Sequence, residues 1–114
     1  MFLFNCEGEK RRILEFTMHK FFTEGFYKTT MDEIASELKV SKKTIYKYFS
    51  SKDELLDEVF ATLQRTGKTN VEGIANSDLD PLQKLIKLKG FWTSVFIQLT
   101  PKFFKDMELH GRDM

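Results

Sequence analysis

Residues 29–49 read Thr29-Thr30-Met31-Asp32-Glu33-Ile34-Ala35-Ser36-Glu37-Leu38-Lys39-Val40-Ser41-Lys42-Lys43-Thr44-Ile45-Tyr46-Lys47-Tyr48-Phe49, and this run decides the fold. Thr29-Thr30 offers an N-cap, with Asp32 and Glu33 in the first turn, where acids complement the helix dipole. Met31, Ile34, Ala35 and Leu38 then recur at the spacing of a short amphipathic helix. Lys39-Val40 breaks it, and Ser41 caps a second short helix in which Ile45 and Phe49 lie one turn apart on an inward face. Two short helices joined by a tight turn make a helix-turn-helix.

The outward face of the second helix carries the chemistry. From Ser41 to Lys52 there are four lysines and no acidic residue. With Ile45 and Phe49 inward, Lys42, Lys43, Thr44, Tyr46 and Lys47 are left facing out. Lysines suit phosphates or guanine acceptors, and Thr44 suits a hydrogen bond or a thymine methyl. The helix start also directs backbone N–H groups toward phosphate. The bland alternative is a solvated lysine face; the capped short helix within a complete helix-turn-helix pattern argues against it. For Tyr48, packing and contact weigh about equally.

Outward from this unit the pattern stays helical. Ile13, Leu14, Met18, Phe21 and Phe22 mark a first helix over Glu7–Glu24, with Glu9, Arg11, Arg12, Glu15 and Lys20 on its other faces. Gly25 stops it, and Phe26 folds back as an apolar cover. Ser50-Ser51 ends the third helix and caps a fourth, which carries Leu55, Leu56, Val59, Phe60 and Leu63 and runs on through Gly67 toward Ile74. Asp80-Pro81 opens a fifth, from Leu82 to Leu99, and Pro101 a short sixth through Met107. The fold class is all-α: a three-helix, homeodomain-like helix-turn-helix domain over residues 1–52, then further helices over 53–114.

Bulk properties bound the function more loosely. With 114 residues the chain has about one domain's length, and its net charge of +1 makes nucleic-acid binding a matter of a local patch. The single cysteine, Cys6, permits no intrachain disulfide, which fits a reducing cytosol. Met1-Phe2-Leu3-Phe4 is too short for a signal peptide, and no apolar run reaches membrane-spanning length. No nucleophile–base pair, phosphate-cradling glycine loop or metal-ligand spacing is present, so neither a catalytic site, a metal nor a cofactor is expected. His19 reads as a surface residue pairing weakly with Glu15, and His110 has no identifiable partner.

The pieces Phe22-Thr23-Glu24-Gly25-Phe26-Tyr27-Lys28-Thr29-Thr30-Met31-Asp32-Glu33-Ile34-Ala35, Val40 to Phe49, and Ser51-Lys52-Asp53-Glu54-Leu55-Leu56 resemble, in order and spacing, the signature of the TetR family of transcriptional regulators. The resemblance covers about Arg11 to Phe60. It implies that Thr30 bonds a DNA phosphate, and that Lys42, Lys43 and Thr44 meet base edges or nearby phosphates. It further implies that Tyr46 meets a base methyl or phosphate, that Lys47 and Tyr48 meet the backbone, and that Lys52 is a phosphate clamp. One departure is the turn, where Leu38-Lys39 replaces the family's common Ala-Gly. A lysine there needs φ > 0, at a cost of about 1 kcal/mol.

The resemblance also implies double-stranded operator DNA as partner, a homodimer reading a palindrome with half-sites about one helical turn apart, repression relieved by a small apolar effector, and a cytoplasmic, membrane-free setting. Residues 53–114 then form a linking helix and an incomplete C-terminal ligand-binding and dimerisation domain. Trp92, Phe96 and Phe103, with Phe91 and Phe104, are candidate pocket residues, though aromatics at helical spacing are more often core. The competing reading is a helical ligand-sensing or protein-interaction module without operator binding.

Overall fold

Each helix start marked by a polar residue in the sequence carries its cap. In the computed structural model, which describes residues 2–110, Thr30 Oγ1 accepts from Glu33 N–H at 3.1 Å, Ser41 Oγ from Thr44 N–H at 3.1 Å, and Ser51 Oγ from Glu54 N–H at 3.1 Å. Asp80 accepts from Gln83 N–H while the Gln83 side chain reaches back to the Asp80 N–H, a reciprocal capping box ahead of Pro81. The helices are α1 (Gly8–Glu24), α2 (Met31–Leu38), α3 (Lys42–Tyr48), α4 (Lys52–Ala75), α5 (Pro81–Phe96) and α6 (Pro101–His110), with no strand among the described residues. The all-α expectation stands. α4 passes through Gly67 and Gly73 unbroken and runs to Ala75. α5 stops at Phe96, short of the expected Leu99, in a turn before Pro101.

The α2–α3 turn has the geometry that its sequence demands. Lys39 sits at φ 59°, ψ 42°, the sole positive-φ non-glycine among the described residues. Its N–H bonds Ser36 C=O, and Val40 N–H bonds Ala35 C=O, so the last carbonyls of α2 are satisfied. The lysine side chain is exposed and gains nothing from the left-handed backbone. Lys39→Gly is therefore expected to stabilise the chain by about 0.5–1 kcal/mol, the relief of left-handed strain outweighing the added chain entropy. Urea unfolding of the two proteins measures it.

One core spans the helix-turn-helix and the later helices. Ile13, Leu14, Phe21 and Phe22 of α1, Ile34 of α2, Ile45 and Phe49 around α3, and Leu55 and Val59 of α4 are all essentially solvent-free. Phe103 of α6 joins this cluster and explains part of the twelve phenylalanines. Its ring meets Phe22 edge-on at 5.2 Å and Phe26 at 6.0 Å, while Phe26 also meets Phe60 at 6.2 Å. Such edge-to-face pairs add to the area that the rings bury. The N-terminal residues pack as well. Phe2 lies on Phe22, and Leu3 is pinned to α4 by its N–H on Thr66 Oγ1 and by Arg65 on its carbonyl.

Two expectations for α1 are corrected. Lys20 is buried rather than on an outer face, because three carboxylates converge on its ammonium: Glu24 at 3.1 Å, Glu33 at 2.9 Å and Glu37 at 2.6 Å. Glu15 bonds Arg11 at 3.0 Å rather than His19, since the guanidinium lies one turn back on the same stripe.

Candidate nucleic-acid interface

α3 is a seven-residue helix held by two fully buried anchors, Ile45 and Phe49. That anchoring leaves Lys42, Lys43, Tyr46 and Lys47 exposed on the far side, with Thr44 and Tyr48 half-buried at the edges. Tyr46 keeps 47% of its surface in solvent, an unusual exposure for an aromatic ring on a helix held by its other face. Ser41 and Thr44 hydroxyls lie 2.9 Å apart at the start of the helix. Lys47 lies over the Tyr48 ring at 5.2 Å. Lys42, Lys43, Tyr46 and Lys47 therefore point outward, as helical spacing from Ile45 and Phe49 predicts.

Several of the expected contact residues already have intramolecular partners. Lys42 Nζ bonds Asp32 Oδ1 of α2 at 2.9 Å, and this bond holds its ammonium above the usual lysine range. Tyr48 donates its hydroxyl proton to Glu9 of α1 at 3.2 Å. Thr30 uses its oxygen to cap α2, which leaves its hydroxyl hydrogen to donate outward. Lys52, at the first position of α4, donates to the carbonyls of Phe26 at 3.1 Å and Tyr27 at 2.8 Å. Lys43, by contrast, makes no ion pair among the described residues. Thr30, Lys42, Lys43, Thr44, Tyr46 and Lys47 thus share the region of α2 and α3, while Lys52 and Tyr48 tie that region to the rest of the core.

The candidate pocket aromatics form a chain of ring contacts from α5 to α6. Phe103 is a core residue, 1% exposed, because α6 lays it against Phe22 and Phe26. Trp92 and Phe96 stack on each other at 5.9 Å, with the Trp92 ring edge against Gly67 of α4 and Phe104 beside Phe96. An apolar groove lies elsewhere, between the end of α4 and the start of α5, lined by Val71, Ile74, Pro81, Leu85 and Leu88.

Sequence reasoning missed three residues at the junction of α6 with the helix-turn-helix. Asp106 Oδ2 accepts from the Phe26 N–H at 2.9 Å and the Tyr27 N–H at 3.1 Å. Thr100 bonds the Phe22 carbonyl through both its N–H and its hydroxyl. His110, for which the sequence offered no partner, stacks flat on Tyr27 at 3.5 Å. These contacts join residues about eighty positions apart, a separation over which no local pattern signals contact.

The capped α2–α3 pair, with its lysine- and tyrosine-bearing outer face, is of the helix-turn-helix class. Residues 13–59 match the family described as bacterial regulatory proteins, tetR family, a match that supports a regulator of that type. It is 41% identical over 63 residues to the uncharacterised HTH-type transcriptional regulator YhgD of Bacillus subtilis, spanning 55% of this chain and 33% of that protein. It is 33% identical over 88 residues to YdeS of the same organism, also an uncharacterised HTH-type transcriptional regulator, covering 77% of this chain and 44% of the relative. HbdR of Aromatoleum, an HTH-type transcriptional regulator, is 31% identical over 83 residues, 69% of this chain and 34% of that protein. The fold is also that of the ketosteroid transcriptional regulator KstR2 of Mycobacterium tuberculosis, with a TM-score of 0.68 at 24% identity over 77% of this chain and 45% of that one. The chain spans between a third and a half of the length of these proteins. No helix among the described residues is long and apolar enough to cross a membrane.

Proposed function

We propose that this chain reads double-stranded operator DNA through the outer face of α3, as the DNA-binding part of a ligand-responsive, cytoplasmic repressor that meets a palindrome as a dimer. The observation that carries the reading is the outer face of α3, where Lys43, Tyr46 and Lys47 stand exposed on a helix fixed from behind by Ile45 and Phe49. Thr30 and Lys42 flank this face for phosphate contacts. The proposed division of roles falls at residues 52 and 53, DNA reading before and sensing and dimerisation after, although both parts share one core. A small apolar effector finds its support in the family match and in the groove between α4 and α5.

Selection of duplexes from a random library by the purified chain, followed by titration of an enriched duplex, tests the DNA reading. Lys43→Ala and Tyr46→Ala are each expected to weaken binding about 5- to 100-fold, the loss of one base or phosphate contact, with folding unchanged. Equal affinity in both variants would count against it. A second expectation follows from the Lys42–Asp32 pair. DNA must compete with Asp32 for the Lys42 ammonium, so Asp32→Asn should tighten binding roughly threefold and steepen its salt dependence, because a further cation becomes available to phosphate. Titrations at a series of salt concentrations give both numbers.

The alternative, a ligand-sensing or protein-interaction module without operator binding, draws on Leu82, Leu85, Ile86, Phe96 and Ile97, all more than half exposed on and just after α5. It predicts weak DNA association that varies with salt alone, and no enriched sequence.

A further inference from the structure

We propose that Asp106 is a positioning residue for DNA binding, by which α6 sets the segment that leads into α2. The inference rests on the DNA reading above. Phe26 and Tyr27 are gripped from both polarities: the Asp106 carboxylate takes their two N–H groups, and the Lys52 ammonium takes their two carbonyls. Asp106 comes from α6 and Lys52 from α4, so two helices meet on one pair of residues. Asp106 is nine-tenths buried, and a carboxylate oxygen there accepts both N–H groups at hydrogen-bonding distance.

The segment fits the carboxylate closely. Gly25, just before it, has φ +81°, and a Cβ added there would lie 2.3 Å from Asp106 Oδ2. Thr29 then ties the segment back on itself, its hydroxyl on the Gly25 carbonyl at 3.1 Å. The next residue is Thr30, cap of α2 and candidate phosphate contact. The start of α6 is fixed independently, through Thr100 on Phe22 and Phe103 in the core. Asp106 holds a different segment. Its bonds go to the loop, and the loop delivers Thr30 and engages Lys52. The location of Asp106 thus translates the placement of α6 into the placement of Thr30 and Lys52, two of the candidate phosphate contacts.

The test uses the 114-residue chain and a duplex that the wild type has enriched from a random library. Asp106→Asn keeps the shape and removes the charge; Asp106→Ala removes the acceptor. Val95→Ala, a buried change on α5 away from the loop, controls for lost stability. Both Asp106 variants are expected to bind roughly tenfold more weakly or worse, with a salt slope shallower by about one, as a phosphate contact falls out of register. Val95→Ala should bind within about twofold of wild type at a comparable thermal midpoint. Faster exchange of the Phe26 and Tyr27 amides in Asp106→Asn, with α2 amides unchanged, would place the effect in the loop. Wild-type affinity and salt slope in a folded Asp106→Asn chain would overturn the proposal, as would a loss that merely tracks the thermal midpoint. A wild type that enriches no duplex would instead overturn the DNA reading, and this inference with it.

Discussion

Gly25→Ala is expected to destabilise the chain by about 3–5 kcal/mol, through two additive mechanisms. The backbone at Gly25 holds φ 81°, ψ 172°, a region that only glycine occupies without strain. The methyl group would also arrive 2.3 Å from Asp106 Oδ2 and 3.3 Å from its Cγ, so the carboxylate must retreat. Its retreat frees the buried Phe26 N–H and the Tyr27 N–H, and an unsatisfied buried donor costs about 1–3 kcal/mol by itself. With total stability of about 5–15 kcal/mol in domains of this size, the loss is a large share. Thermal unfolding should show a midpoint lowered by roughly 10–20 °C.

A double-mutant cycle separates the two mechanisms. In an Asp106→Ala background the carboxylate clash is gone and the N–H groups are already unpaired, so Gly25→Ala should retain only its backbone strain and a tight contact with the flexible Lys102 side chain, 3.0 Å away at Cγ. The coupling between the two sites is then expected at about 1–3 kcal/mol. Additive costs would mean that Asp106 moves aside freely and that its two bonds contribute little.

Gly25 also illustrates what the sequence discloses. Its role as a helix stop is legible, because a glycine after an amphipathic run is a local signal. The same holds for the caps Thr30, Ser41, Ser51 and Asp80, for Pro81 and Pro101 at helix starts, and for the left-handed turn forced on Lys39. The outward set Lys42, Lys43, Tyr46 and Lys47 follows from Ile45 and Phe49 by helical arithmetic. None of this extends to α6. That Asp106 faces the Gly25 loop depends on how α4, α5 and α6 fold back, and an aspartate in a helix otherwise reads as a surface charge. Phe103 shows the same limit: its helical spacing gives an apolar face, while the identity of its neighbours Phe22 and Phe26 comes only from tertiary packing. Lys20 shows a third limit. Its i,i+4 partner Glu24 is visible in sequence, but Glu33 and Glu37 come from α2, and only their arrival buries the lysine.

Lys20→Met should therefore cost more than a surface lysine change, about 2–4 kcal/mol in urea unfolding. The methionine keeps most of the apolar stem, so the loss reports the ammonium. That ammonium is 2% exposed and makes three charge-assisted contacts that clip α2 to the end of α1. Without it, Glu24, Glu33 and Glu37 converge on one another with no cation between them. Their partial exposure allows them to turn into water, which sets the upper bound on the cost. The pH dependence follows from opposing effects on the lysine. Burial disfavours its charged form, yet bonds to Glu37, Glu33 and Glu24 outweigh burial and hold its pKa above the ordinary 10.5. A group whose folded pKa is raised stabilises fully below its unfolded value and loses that contribution as pH climbs through the folded one. The stability gap between wild type and Lys20→Met attributable to this proton should thus be level as pH approaches 10.5 from the neutral range and narrow only above it. A gap that closed between pH 7 and 9 would mean that the lysine is not held charged by its three carboxylates, and that α2 is kept on α1 by Ile34 and its apolar neighbours alone.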